Sequence, residues 1–126
     1  MATLRPPVSH DDQSTGNVHS PVILVEYGDY QCPHCGHAHP LVKKLLQEKG
    51  DSFRFVFRNF PLQESHPAAF ISACAAEAAS FQGKFWEMHD MIFEHQQGLS
   101  MAALLRFAET LKLDLDQFTE DIESSE

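Results

Sequence analysis

The chain has 126 residues, the length of one small domain, and is 43% hydrophobic, enough to build a core. Its formal charge of −9 opposes phosphate backbones and anionic membrane surfaces, which sets nucleic acid and lipid aside as partners. No apolar stretch approaches the roughly 20 residues that a bilayer requires, and the opening MATLRPPVSHDD lacks the apolar centre of a secretory signal. A cytoplasmic location is expected, or a periplasmic one if a signal has been removed.

Residues 1–20 carry Pro6, Pro7 and Gly16 among polar neighbours and are expected to form an irregular lead-in, with one short strand near Val8. PVILVEY, 21–27, is a near-continuous apolar run rich in β-branched residues, the pattern of a strand buried on both faces. GDYQ is a turn. A helix is then expected over 33–48: Pro33 suits its first position and Gly50 lies just past its end. Pro40 falls inside this helix and should kink it, because its nitrogen has no hydrogen to give the Gly36 carbonyl. SFRFVFRNF, 52–60, alternates, with Phe53, Phe55 and Phe57 on one side and Arg54, Val56 and Arg58 on the other. Strand, helix and strand joined at this length predict parallel strands. PLQESHP, 61–67, is a loop. Helices are expected near 67–81, 84–95, 100–111 and 114–123, the last two capped by Ser100 and Asp114. The expected organisation is an α/β fold. A lead-in over 1–20 precedes one domain over 21–126, made of a βαβ unit (21–60) and an all-helical part (66–126).

Three cysteines stand out. Cys74, in ISACAAEAA, is read as a buried thiol on a helix face. Cys32 and Cys35 form a C-x-x-C pair where the first helix begins. There the unpaired N–H groups of the first turn and the helix dipole stabilise a thiolate, the attacking species in disulfide exchange. Cys32 is the natural nucleophile, and Cys35, one turn in, the buried resolving thiol. His34 between them offers a hydrogen bond or a positive charge to the thiolate, which favours the reduced form and makes the disulfide a stronger oxidant. Glu26 interrupts the apolar strand. A buried carboxylate without a partner is costly, so a role as general base for Cys35 is expected, against the alternative of a strand-end glutamate reaching water. Cys32, Cys35, His37 and His39 also offer nitrogen and sulfur donors of the kind zinc takes. His37 points away from the face that Cys35 and His39 share, and no second C-x-x-C exists, so metal is the minor alternative. His37 and His39 are expected to be solvated. FWEMHDMIF, 85–93, repeats apolar residues at helical spacing, the mark of core packing, and holds the lone tryptophan, Trp86.

PVILVEYGDYQCPHCGHAHP resembles the active-site segment of DsbA-like proteins of the thioredoxin superfamily. C-P-H-C is the DsbA-type tetrad, and Glu26 and Pro40 stand where thioredoxins also carry a carboxylate and a proline. FRNFPL and AAEAASFQGKFWEMHDMIF resemble the second strand and helical insertion of the same group. The likeness covers roughly residues 16–120. It implies a thioredoxin-like fold with a helical insertion, and thiol–disulfide exchange with no metal or organic cofactor. It implies Cys32 as nucleophile, Cys35 as resolving thiol, and Pro33 and His34 between them, His34 tuning the pair. The implied partners are cysteine-containing protein substrates and a redox recycling partner.

In the family, two further strands and a helix follow the insertion, and a cis-proline loop before them helps bind substrate. No proline follows Pro67 here, so the C-terminal ββα part of the fold is expected to be missing. Strand 22–27 would then offer unpaired backbone groups, a route to a homodimer or a strand swap. Two rival readings remain beside the oxidoreductase. One is a non-catalytic binding or assembly module, which keeps its partner when Cys32 is replaced. The other is the Cys/His metal site.

Overall fold

The computed structural model describes residues 7–60 and 66–125. Residues 1–6 of the expected lead-in and 61–65 of the expected loop lie outside that set, as does residue 126. The described residues form a mixed three-stranded sheet with five α-helices. In chain order these are β1 (Gln13–Gly16), β2 (Ile23–Gly28), α1 (Pro33–Lys49), β3 (Arg54–Asn59), α2 (Pro67–Ser80), α3 (Phe85–Glu94), α4 (Met101–Thr110) and α5 (Leu115–Ser125). A short 3-10 turn, Gln96–Gly98, joins α3 to α4. The helices start where the sequence marks them. The Ser100 hydroxyl accepts from the Ala103 N–H at 3.1 Å, and the Asp114 carboxylate accepts from the Gln117 N–H at 3.1 Å.

The strand order is β1-β3-β2. As the connection length predicts, β2 and β3 run parallel, with Ile23 opposite Arg54 and Glu26 opposite Phe57. β1 runs antiparallel to β3. Two expectations need correction here. The first strand lies at 13–16 and not near Val8, so the lead-in is not wholly irregular. QSTG carries no apolar alternation; tertiary contacts hold it. Arg58 donates from Nε and Nη2 to both oxygens of Asp12, each at 2.8 Å, and Arg54 Nε donates to the Ser14 hydroxyl at 2.8 Å. The Arg58 guanidinium in turn holds the Asp12 carboxyl below its usual range. Gln13 ties the strand to α2 by donating to Glu77 at 3.2 Å and to Ser80 at 2.9 Å.

The second correction concerns β2, which is not buried on both faces. Ile23 and Leu24 are each 42% exposed and Tyr27 is 46% exposed. The reason is position. β3 occupies the centre, so its Phe55, Val56 and Phe57 are the side chains that vanish from solvent. β2 pairs only with β3 among the described residues, and its other side is an open edge.

The core lies between the sheet and the helices. Phe55 and Phe57 share one buried cluster with Phe85, Met88, Ile92 and Phe93 of α3, Leu104 and Phe107 of α4, and Phe118 and Ile122 of α5. Each fully buried aromatic or aliphatic side chain contributes about 1.5–3 kcal/mol. α2 is a run of buried small residues, including Ala75, Ala76, Ala78 and Ala79, and packs against both α3 and α5. Cys74 is buried there, as expected. The aromatic run of α3 is core, again as expected, and Trp86 packs edge-on to Phe85 and His89.

Candidate active site at the start of helix α1

The turn between β2 and α1 is fixed by side chains the sequence reading did not single out. Asp29 forms an Asx turn, its Oδ1 accepting from the Gln31 N–H at 2.8 Å, while its carbonyl accepts from the Cys32 N–H at 3.0 Å. Its other oxygen meets His66 Nδ1 at 2.8 Å. Gln31 Oε1 accepts from the Ala68 N–H at 2.8 Å, so the same turn also caps α2. Tyr30 is buried, and its hydroxyl lies 2.9 Å from His89 Nδ1. Gln96, beyond α3, donates from Nε2 to the carbonyls of Tyr30, at 2.7 Å, and Cys32, at 3.0 Å. A Cβ added at Gly36 would collide with the amide of Gln96, so the glycine is what lets this side chain lie across the first turn of α1.

Cys32 is the cap residue of α1, in extended conformation, and makes no side-chain capping bond. Pro33 is the first helical residue, and the first turn holds no acidic side chain. No carboxylate therefore competes for the positive end of the helix. Cys35 lies one turn in but is not buried as expected: like Cys32, it is partly exposed, because it sits in the open first turn of α1; both are thiols within hydrogen-bonding range of each other. Burial pushes the Cys35 thiol up, and the nearby Cys32 and Glu26 add to the rise. Glu26 is half-buried on β2, and burial pushes its carboxyl up as well. Its charge is felt at Cys35, which puts the two groups in one electrostatic neighbourhood. Pro33 and His34 are exposed at the rim.

The histidines divide. His37 is exposed, as expected. His39 is not: it is 7% exposed and stacks on Phe93 at 5.2 Å. Its Nε2 meets Glu94 at 3.3 Å and Asp90 at 3.6 Å, acids from the far side of the sequence that no local pattern announces. Cys32, Cys35, His37 and His39 do not gather as a metal-binding set. The group of metal-capable side chains among the described residues is His39, His89 and Asp90.

Comparison with known proteins places the fold. The thioredoxin family model matches residues 9–126. A thioredoxin-like oxidoreductase from Silicibacter pomeroyi superposes with a TM-score of 0.81 at 30% identity, over 91% of this chain and 65% of that one. The thiol-disulfide exchange protein alpha-DsbA2 from Wolbachia pipientis gives 0.81 at 26% identity, over 91% and 61%. A Na(+)/H(+) antiporter NhaA 3 from Salinispora tropica is 50% identical over 92% of this chain, which spans 18% of the antiporter. The chain thus covers under two thirds of these solved structures and about a fifth of the antiporter. By the family match and the superpositions together, the chain belongs to the thioredoxin family and is DsbA-like in fold.

Proposed function

We propose that the chain is a thiol–disulfide oxidoreductase working through Cys32 and Cys35. The observation that carries this reading is the placement of Cys32 as the bare cap of α1, with Cys35 one turn in and within reach. In the oxidising direction, a substrate thiolate attacks the Cys32 sulfur of the Cys32–Cys35 disulfide. The S–S bond breaks, and Cys35 leaves as a thiolate whose raised affinity for protons draws one back. Glu26, whose carboxyl keeps its proton above the usual range, is the group to exchange it. A second substrate thiolate then attacks the substrate sulfur of the mixed disulfide. The substrate is oxidised, and Cys32 leaves as a thiolate on the helix N-terminus. The reverse sequence reduces or reshuffles a substrate disulfide. His34, exposed beside the pair, tunes the potential, and Pro33 fixes the first turn. Cysteine-containing proteins are the substrates, and a separate redox partner restores the starting state.

The test is a glutathione redox titration with maleimide trapping and mass counting, on the natural chain and on Cys74→Ser. Cys32 and Cys35 should lose their two labels together as one two-electron couple, toward the oxidising end near about −120 mV. A pair that never bridges at any poise overturns the reading.

The antiporter similarity favours a second reading of the setting. Na(+)/H(+) antiporters carry a segment half identical to this chain, so the exchange chemistry is directed at, or carried beside, a transporter of that kind. Ion exchange in vesicles holding such an antiporter, with and without Cys32→Ser, should then differ between oxidising and reducing media.

A further inference from the structure

A half-open cavity of about 130 Å³ lies beneath α1 and is lined by His39 and Lys43 of α1 and by Trp86, His89 and Asp90 of α3. The dithiol chemistry uses none of these residues. His39 and His89 are 7% and 3% exposed, so two imidazoles have been taken out of water side by side. One ligand atom from each of His39, His89 and Asp90 lies within 4.8 Å of the other two. Ligand atoms on a tetrahedral ion with bonds of about 2.1 Å stand about 3.4 Å apart, so a small inward rotation of the rings closes the set. Glu94 lies 3.3 Å from His39 Nε2 but outside this set of three, so it would have to swing inward to serve as a fourth donor.

The surroundings suit an ion as well. His89 Nδ1 is taken by the Tyr30 hydroxyl at 2.9 Å. Its other ring nitrogen has no hydrogen-bond partner among the described residues. An outer hydrogen bond on one nitrogen is how a metal-binding histidine is held in the tautomer that frees the other. The acids already draw a cation: the Lys43 ammonium lies 3.0 Å from Glu94 and 3.7 Å from Asp90. Lys43 is 44% exposed and free to swing outward.

We propose that His39, His89 and Asp90 form a binding site for a divalent transition-metal ion, zinc by its donor preference, with Glu94 as the fourth ligand and the Lys43 ammonium as a built-in competitor. The ion would tie α1, which carries the cysteine pair, to α3. The site is independent of the oxidoreductase reading.

The test uses the full chain with Cys32→Ser and Cys35→Ser, so that no active-site thiol takes up metal and the outcome does not depend on thiol chemistry. Zinc is titrated by calorimetry, and cobalt(II) by absorption and by quenching of Trp86. One ion per chain is expected, with ligand-field bands and no thiolate charge-transfer band. Asp90→Asn and His39→Gln should each weaken binding by at least about tenfold. Lys43→Met should strengthen it several-fold, a gain that a purely structural ion-pair network does not produce. Circular dichroism establishes that each variant is folded. Absence of saturable one-to-one uptake, uptake unchanged by Asp90→Asn, or weaker uptake by Lys43→Met overturns the proposal.

Discussion

Gly36 and Gln96 are energetically one unit, and a double-mutant cycle measures this. Gln96→Ala removes two hydrogen bonds, to the Tyr30 and Cys32 carbonyls. At about 1 kcal/mol each, the loss is about 2 kcal/mol. Gly36→Ala, by itself a change to a better helix former, gains about 1 kcal/mol of helix propensity. The new Cβ meets the Gln96 amide, however, and that flexible end must move off its two carbonyls. The single Gly36→Ala variant should therefore lose about 2 and regain about 1 kcal/mol, a net destabilisation of about 1 kcal/mol. With Gln96 already alanine the clash is gone, and Gly36→Ala should stabilise by about 1 kcal/mol. The sign flips, and the coupling is about 2 kcal/mol. Urea denaturation of the four reduced proteins, followed by circular dichroism, gives all the terms. Additivity within about 0.5 kcal/mol refutes the reasoning, because it means the amide does not lie across the first turn in solution.

Phe57→Ala removes a ring that is 2% exposed and lies 4.5 Å from His89 and 5.3 Å from Tyr30, so a loss of about 3–5 kcal/mol in urea denaturation is expected; a loss below about 2 kcal/mol would contradict the placement of β3 at the centre. Glu26→Gln probes linkage. The folded-state carboxyl is raised, so the stability it contributes is full below the ordinary carboxylate range and falls as pH rises through its folded value. The variant should lack that fall and be the more stable protein near neutral pH, which urea midpoints over a pH series would show; equal pH profiles for the two proteins would refute the assignment.

Much of the fold is legible in local pattern. The strand in SFRFVFRNF, the Pro33 start, and the Ser100 and Asp114 caps depend on neighbours along the chain, and each appears where expected, though Val56 on the arginine side is buried as well and the strand is not greasy on one face alone. What fails is what depends on distant partners. QSTG becomes a strand because Arg54 and Arg58 anchor it. The apolar run 21–27 reads as an interior strand, yet its exposure is set by which strand takes the middle. The candidate site divides the same way. Cys32 and Cys35 are readable from spacing and helix start, and Glu26 from its intrusion into a strand. Asp29, His66 and Gln96 are ordinary loop residues in sequence and become the braces of the site only once α2 and α3 close over it. His39 carries no buried signature of its own; its partners Asp90 and Glu94 arrive from α3.

Cys74 gives the molecule an internal clock. It is 5% exposed on α2, a helix held between α3 and α5. An alkylating reagent reaches it only when that packing opens. Where the helices reclose faster than the reagent reacts, the labelling rate reports the free energy of opening. Cys32 and Cys35 are partly exposed and label from the closed state. A single time course read by mass therefore yields two independent quantities from one sample: the nucleophilicity of the surface pair and the breathing of the helical layer behind it.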